Sequence, residues 1–507
     1  MNKKFALLFF MAMLVFVYSG CGGSSSNNFV PNENIPVIDS GDIEPDNPIV
    51  DSGDKTPDTP VIDSDDKTPD TPPVIDSDDK TPDTPPVIDS DDQAPDDPVV
   101  ESDDNTGDYL TSEDIDVQTV SSDSGNGTHV ITANGGTLSL SHLRINKTGD
   151  SDGEDADFYG ENSAVFATNG AALTLTDSII VTDGGHANAV FSYGSGTTVN
   201  VENCVITTQA NNSGGIMTTG GGTMNAKNLT IETAGGSSAA IRSDRGGGTV
   251  NVEGGTYTSA GRGSPAIYST ADITVKNAHL ESKTAQGIVI EGKNSVTLNN
   301  CDVVANNITH NSNKSSHYQA VMIYQSGSGD ASEGKGEFTM TGGTLTNQNE
   351  DIFFINNTIA DITLNDADII NNGDGVFMRA EAAGWGSSGS NGGKVNLYAN
   401  DQLIRDDVVV DNISILNMYL KSGSAFSGAL NSANSGGQIY VEINGSTWTL
   451  TGDSYITSLT CAADSINLNG FNLYVNGTAY VSGSESTGSA IEISSGNTDS
   501  RPTPPGR

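Results

Sequence analysis

The chain has 507 residues, with 22 Lys and Arg against 65 Asp and Glu and a formal net charge of -43. That balance argues against nucleic acid and anionic lipid surfaces as partners, and favours a basic polymer or a divalent cation. With only 4 cysteines in the whole chain, a disulfide framework is not what holds it together.

The first element is a leader, residues 1–20. Lys3 and Lys4 precede thirteen apolar residues, 5–17, then Tyr18, Ser19 and Gly20 before Cys21. This is the tripartite layout of a secretory signal, and its apolar run falls short of the ~20 residues of a spanning helix. The small residues before Cys21 and the Gly-Gly-Ser-Ser-Ser after it resemble a bacterial lipobox, with Tyr18 where an aliphatic residue is usual. The resemblance implies a lipid on Cys21 and attachment to a membrane of the cell envelope, at the outer membrane or cell surface.

Residues 21–108 read as a linker. Within 31–108, five imperfect units of 12 or 13 residues carry 25 acids and 3 lysines, half of the chain's charge, and 14 of its 18 prolines. Such a segment cannot bury enough apolar surface to offset its ordering entropy, and its like charges push it open. It is expected to be a disordered acidic stalk, reaching up to roughly 240 Å at about 3.1 Å per residue. Its Asp-Ser-Asp-Asp units lack the glycine turn and closing Glu of an EF-hand loop.

Residues 109–490 carry a different repeat. Residues 199–206, VNVENCVI, match 224–231, MNAKNLTI, and 273–280, ITVKNAHL. The same line starts at Leu138, Leu173, Val250, Val296, Phe338, Ile362 and, loosely, Val395; most starts lie 23 to 26 residues apart, and three gaps stretch to 33, 35 and 42. Alternation puts the apolar side chains on one face of a strand, and the Asn or Asp that follows tolerates the left-handed conformation of a sharp corner. Asp177, Asn203, Asn228, Asn277, Asn300 and Asp366 fall at that place. One such coil cannot bury its apolar face alone, whereas stacked coils build a continuous core. The fold class expected is all-β, a right-handed parallel β-helix solenoid.

A second strand per coil gives a further column. With the aliphatic residue inward, the outward positions are Phe166, Phe191, Met217, Arg242, Tyr268, Val289, Met322, Phe354 and Phe377. A stripe of this kind on an outer face is either a platform for sugar rings or a partner surface, or the seat of something that folds over it. The first strand's outward column runs Ser139, Thr174, Asn200, Asn225, Asn251, Thr274, Thr297, Thr339, Thr363 and Asn396, which reads as a solvated sheet face.

Three insertions interrupt the repeat. The first, 146–163, holds Asp150, Asp152, Glu154, Asp155 and Asp157 around Gly153, a spacing suited to calcium or to a plain acidic loop. The second, 306–336, carries His310, His317 and Tyr318, and the third, 372–393, carries Trp385. Cys204 and Cys301 occupy the small-residue slot after a corner, four coils or about 19 Å apart, too far for a disulfide. They are expected to be core thiols.

Beyond residue 400 the line loosens, and Trp448, Gly452, Ser454 and Leu459 follow one another. That order resembles the C-terminal coils of autotransporter passengers. With the earlier copies, the likeness to adhesin-like, pectate-lyase-like β-helices of bacterial surfaces covers most of 110–480. The departure from that family is the expectation that no translocator barrel follows: residues 491–507 read as a disordered tail, closing in the Pro and Gly run 501–507. The resemblance implies a surface-displayed adhesin, binding a glycan or a protein surface, delivered as a lipoprotein. A polysaccharide lyase or hydrolase is the alternative. The sequence gives it only Arg242, Asp244 and Arg245, with no acid at the matching slots of adjacent coils. A structural surface coat is the third reading.

Overall fold

A computed structural model describes residues 117–494 except 126, 154 and 311. The leader, Cys21, the stalk and residues 495–507 lie outside the described residues, as does Glu154.

The predicted corners do turn. Asp177, Asn203, Asn228, Asn277, Asn300 and Asp366 have φ between 48° and 52°, the left-handed region that Asn and Asp enter at low cost. Their side chains also link coil to coil: Asn203 Nδ2 donates to Asp177 Oδ1 (3.3 Å) and Asn300 Nδ2 to Asn277 Oδ1 (3.0 Å). In the coil between Asn228 and Asn277 the corner is Gly254–Gly255, where a Cβ on Gly255 would lie 2.3 Å from the Leu229 carbonyl oxygen.

The strands between corners stack in parallel register. Leu138 pairs with Leu173, Leu173 with Val199, and the line continues through Met224, Val250, Ile273, Val296, Phe338 and Ile362. The partner of Ile362 is Leu397, not Val395, so the tenth copy starts two residues later than its alternation indicated. From Leu397 the ladder runs on through Met418, Val441 and Leu459. These strands and those after the corner form a 22-stranded sheet, and a second sheet of 11 strands holds the Phe166 column. Past residue 400 the strands after the corner separate into a four-stranded sheet, Leu403–Arg405, Ala425–Ser427, Thr447–Thr449 and Ile466–Asn467. The sole helix among the described residues is Asp155–Tyr159.

The core is one continuous column. Ile145, Ile180, Ile206, Ile231, Tyr257, Leu280, Val303 and Leu345 succeed one another rung by rung, all fully buried. Cys204 and Cys301 are buried free thiols, as expected. Burial pushes the Cys204 thiol up to about 12. Trp448 of the C-terminal motif lies in this core, its indole N–H donating to the Gly428 carbonyl at 3.0 Å. The result is all-β, mostly parallel and solenoid-like, compatible with a β-helix.

Candidate functional site

The second sheet carries the outward column in the register expected from Phe166 to Phe354. Phe377 is a correction: Phe354 pairs with Arg379, while Phe377 turns inward against Phe353 with ring centroids 5.4 Å apart. The strand begins at Met378, and Phe377 fills the core just before it.

The insertions cover this column. In the first, the short helix buries Ala156, Phe158 and Tyr159, and Phe158 O accepts a hydrogen bond from Thr219 Oγ1 (2.6 Å). Beneath it Phe191 and Met217 have no exposure at all. Phe166 is half-buried and stacks on His129 at 4.4 Å. Further along, Val289, Met322, Tyr324 and Phe354 form an apolar cluster outside the main core, closed by Tyr268, Ala383 and Trp385. Trp385 of the third insertion meets Tyr324 edge-on at 5.2 Å. The stripe is therefore a second packed layer over most of its length, not an open platform.

Where the first two insertions meet, the sheet carries charge. Arg242 lies 3.2 Å from Asp157 and 3.2 Å from Asp244, and His186 lies 3.3 Å from Asp157. Arg245 pairs with Asp330 of the second insertion at 2.8 Å, its guanidinium 4.0 Å above the Phe158 ring. Burial pushes the Asp157 carboxyl upward, but the Arg242 charge and the bond to His186 outweigh it and hold the group below its ordinary value. Asp244 goes the other way. Burial, only partly offset by Arg242, lifts it to about 8. Two coils on, burial also raises Glu291, although Tyr268 OH (2.6 Å), Tyr324 OH (3.0 Å) and Ser326 all donate to it. The acids missing from the adjacent coils thus arrive from insertions 85 residues away on either side.

The acidic loop divides its carboxylates. Asp157 is turned inward to Arg242, Asp150 is exposed with Oδ1 accepting from Gly185 N at 2.7 Å, and Asp152 and Asp155 face solvent. Among the described residues no three His, Cys, Asp or Glu side chains come together as a metal site. The cation at the loop's base is Lys147, fully buried, with Nζ donating to the carbonyls of Ser124 and Gly149. Desolvation lowers its pKa, partly opposed by Asp150 and Asp123. In the second insertion, His310 stacks on Tyr318 at 4.1 Å. His317 sits 3.2 Å from Glu381 and 3.7 Å from Glu350, and its bond to Glu381 raises its pKa.

Accessible aromatic surface lies elsewhere. Once the tenth coil is placed two residues later, the first sheet's outward column reads Thr339, Thr363, Tyr398, Tyr419. Tyr398 and Tyr419 are half-buried and stack with centroids 4.9 Å apart and planes 8° apart. Tyr440 adds an edge contact at 5.9 Å, and Lys421 Nζ lies 5.1 Å over Tyr419.

Comparison of the chain with protein-family models, with curated proteins and with solved structures finds no match.

Proposed function

We propose that the chain is a lipoprotein of the cell surface, held by a lipid on Cys21, whose acidic stalk stands a right-handed, adhesin-like parallel β-helix away from the membrane to bind a glycan or a partner surface. The observation that carries this reading is the half-exposed Tyr398–Tyr419 stack, an accessible aromatic surface on an outer sheet face against which a sugar ring can pack. It moves the binding surface from the covered stripe to the C-terminal coils. The test is affinity electrophoresis of the full-length protein through gels cast with host and microbial polysaccharides, with and without calcium. Retardation in at least one gel, lost in Tyr398→Ala/Tyr419→Ala, is the expected result. Unchanged mobility in every gel would favour a protein ligand or a structural coat.

A second reading, an enzyme cleaving polysaccharide, draws support from one pair. Asp244, raised to about 8, and Asp157, held low, flank Arg242 as a proton donor and a carboxylate would. New reducing ends or unsaturated products, absent in Asp244→Asn, would establish it.

A further inference from the structure

The outward column of the second sheet does not end at Arg379. The bridge between Val408 and Leu430 and the hydrogen bond from Tyr455 N to Leu430 O (3.0 Å) carry that side of the solenoid on to the strands Ser454–Ile456 and Leu473–Val475. Their outward residues are Tyr455 and Tyr474, paired in register, with ring centroids 4.9 Å apart and planes 6° apart. Unlike Phe191 or Phe354, both rings remain half-exposed.

Beside them runs a groove of about 340 Å³, a size within the range of small-ligand sites. Its rim carries Asn434 and Asn476, both exposed and both at φ 48°. Their backbones are pinned, Asn434 N donating to Asn431 O (2.8 Å) and Asn476 N to Ile456 O (2.9 Å). Their side-chain amides make no hydrogen bond among the described residues. Gly436 and Gly477 line the same groove and leave the backbone bare for close approach. No charged side chain lines it.

We infer that this groove is a subsite for a neutral sugar residue, an inference that rests on the glycan-binding reading above. A primary amide both donates and accepts, and so matches adjacent hydroxyls, which do the same. The tyrosines supply the apolar surface against which the C–H face of a pyranose packs. A uronate or sulfated sugar would need a cation that the groove lacks, in a chain whose net charge is -43.

The test uses the full-length protein in affinity gels containing neutral glucan, mannan or galactan, or acidic polygalacturonate or alginate. Asn434→Gly/Asn476→Gly removes both amides without straining left-handed backbone, so the fold should be intact. It should weaken binding of a neutral polymer about tenfold, the worth of two hydrogen bonds. Tyr474→Ala should weaken it likewise. Unchanged binding in the Asn variant, or retardation by acidic polymers alone, overturns the subsite. If Tyr398→Ala/Tyr419→Ala abolishes binding while the Asn variant does not, the adhesin reading stands and the groove falls. Free migration of the unmutated protein in every gel overturns both.

Discussion

The insertion-bearing coils and the C-terminal coils are built on the same ladder yet expose opposite surfaces. Between Phe166 and Phe354 the outward aromatic and apolar residues are roofed by insertions, and the roof is fastened by Asp157, Arg242, Arg245 and Asp330. In the coils after residue 394, outward tyrosines stack on each other and stay half-open, Tyr398 and Tyr419 on the first sheet and Tyr455 and Tyr474 on the side that continues the second. An outward aromatic is thus a core residue or a surface residue according to whether an insertion covers it. Residue type alone does not decide it.

The largest effect should come from truncating under the roof. Phe191→Ala should cost about 3–5 kcal/mol of stability, read from urea unfolding, because it opens a cavity between sheet and helix. Tyr419→Ala should cost no more than about 0.5–1.5 kcal/mol, the worth of a partly exposed aromatic contact. Equal losses at the two sites would erase the distinction.

The roof should also feel pH where the open coils do not. Burial lifts the Asp244 carboxyl to about 8 in the folded state, against an ordinary aspartate value of about 4, so between these values the native state binds more protons than the unfolded one. Its contribution is fully present below about pH 4 and is lost as pH rises through 8. Asp157, depressed, acts oppositely: its contribution is present above its unfolded value and is lost in acid. Protection of the short helix's amides, taken as exchange relative to the intrinsic rate at each pH, should therefore fall between pH 5 and about 8.5, and Asp244→Asn should flatten that fall. A profile identical in the variant would remove Asp244 as its source.

The corners, which both regions share, should lose less than the roofed Phe191. Asn203→Ala should destabilise by about 1–2 kcal/mol, because Ala resists left-handed backbone, and Asn203→Gly by less. Asp401, at φ 49° in the C-terminal coils, should behave in the same way.

The repeat was readable because period-two alternation ending in Asn or Asp is a local signal, and nine starts fell in register for that reason. The tenth slipped because Val395, Leu397 and Ala399 alternate without a break. A shift of two residues keeps every side chain on its proper face, so alternation could not expose the error. That slip put Asn396 where Tyr398 stands and hid the stacked tyrosines. The charge cluster was half legible: Arg242, Asp244 and Arg245 are adjacent in sequence. Asp157 and Asp330 are not, and nothing periodic announces where an insertion will land. Phe377 misled because it lies one residue ahead of its strand, where packing against Phe353 sets its direction.

Hydroxyl-radical footprinting of the full-length protein, read residue by residue in a mass spectrometer, tests the contrast most directly. Tyr398, Tyr419, Tyr455 and Tyr474 should be modified readily while Met217, among the most reactive side chain types when exposed, stays protected together with Phe191. Oxidation of Met217 as fast as that of a freely exposed methionine would show the roof to be open and would contradict the account.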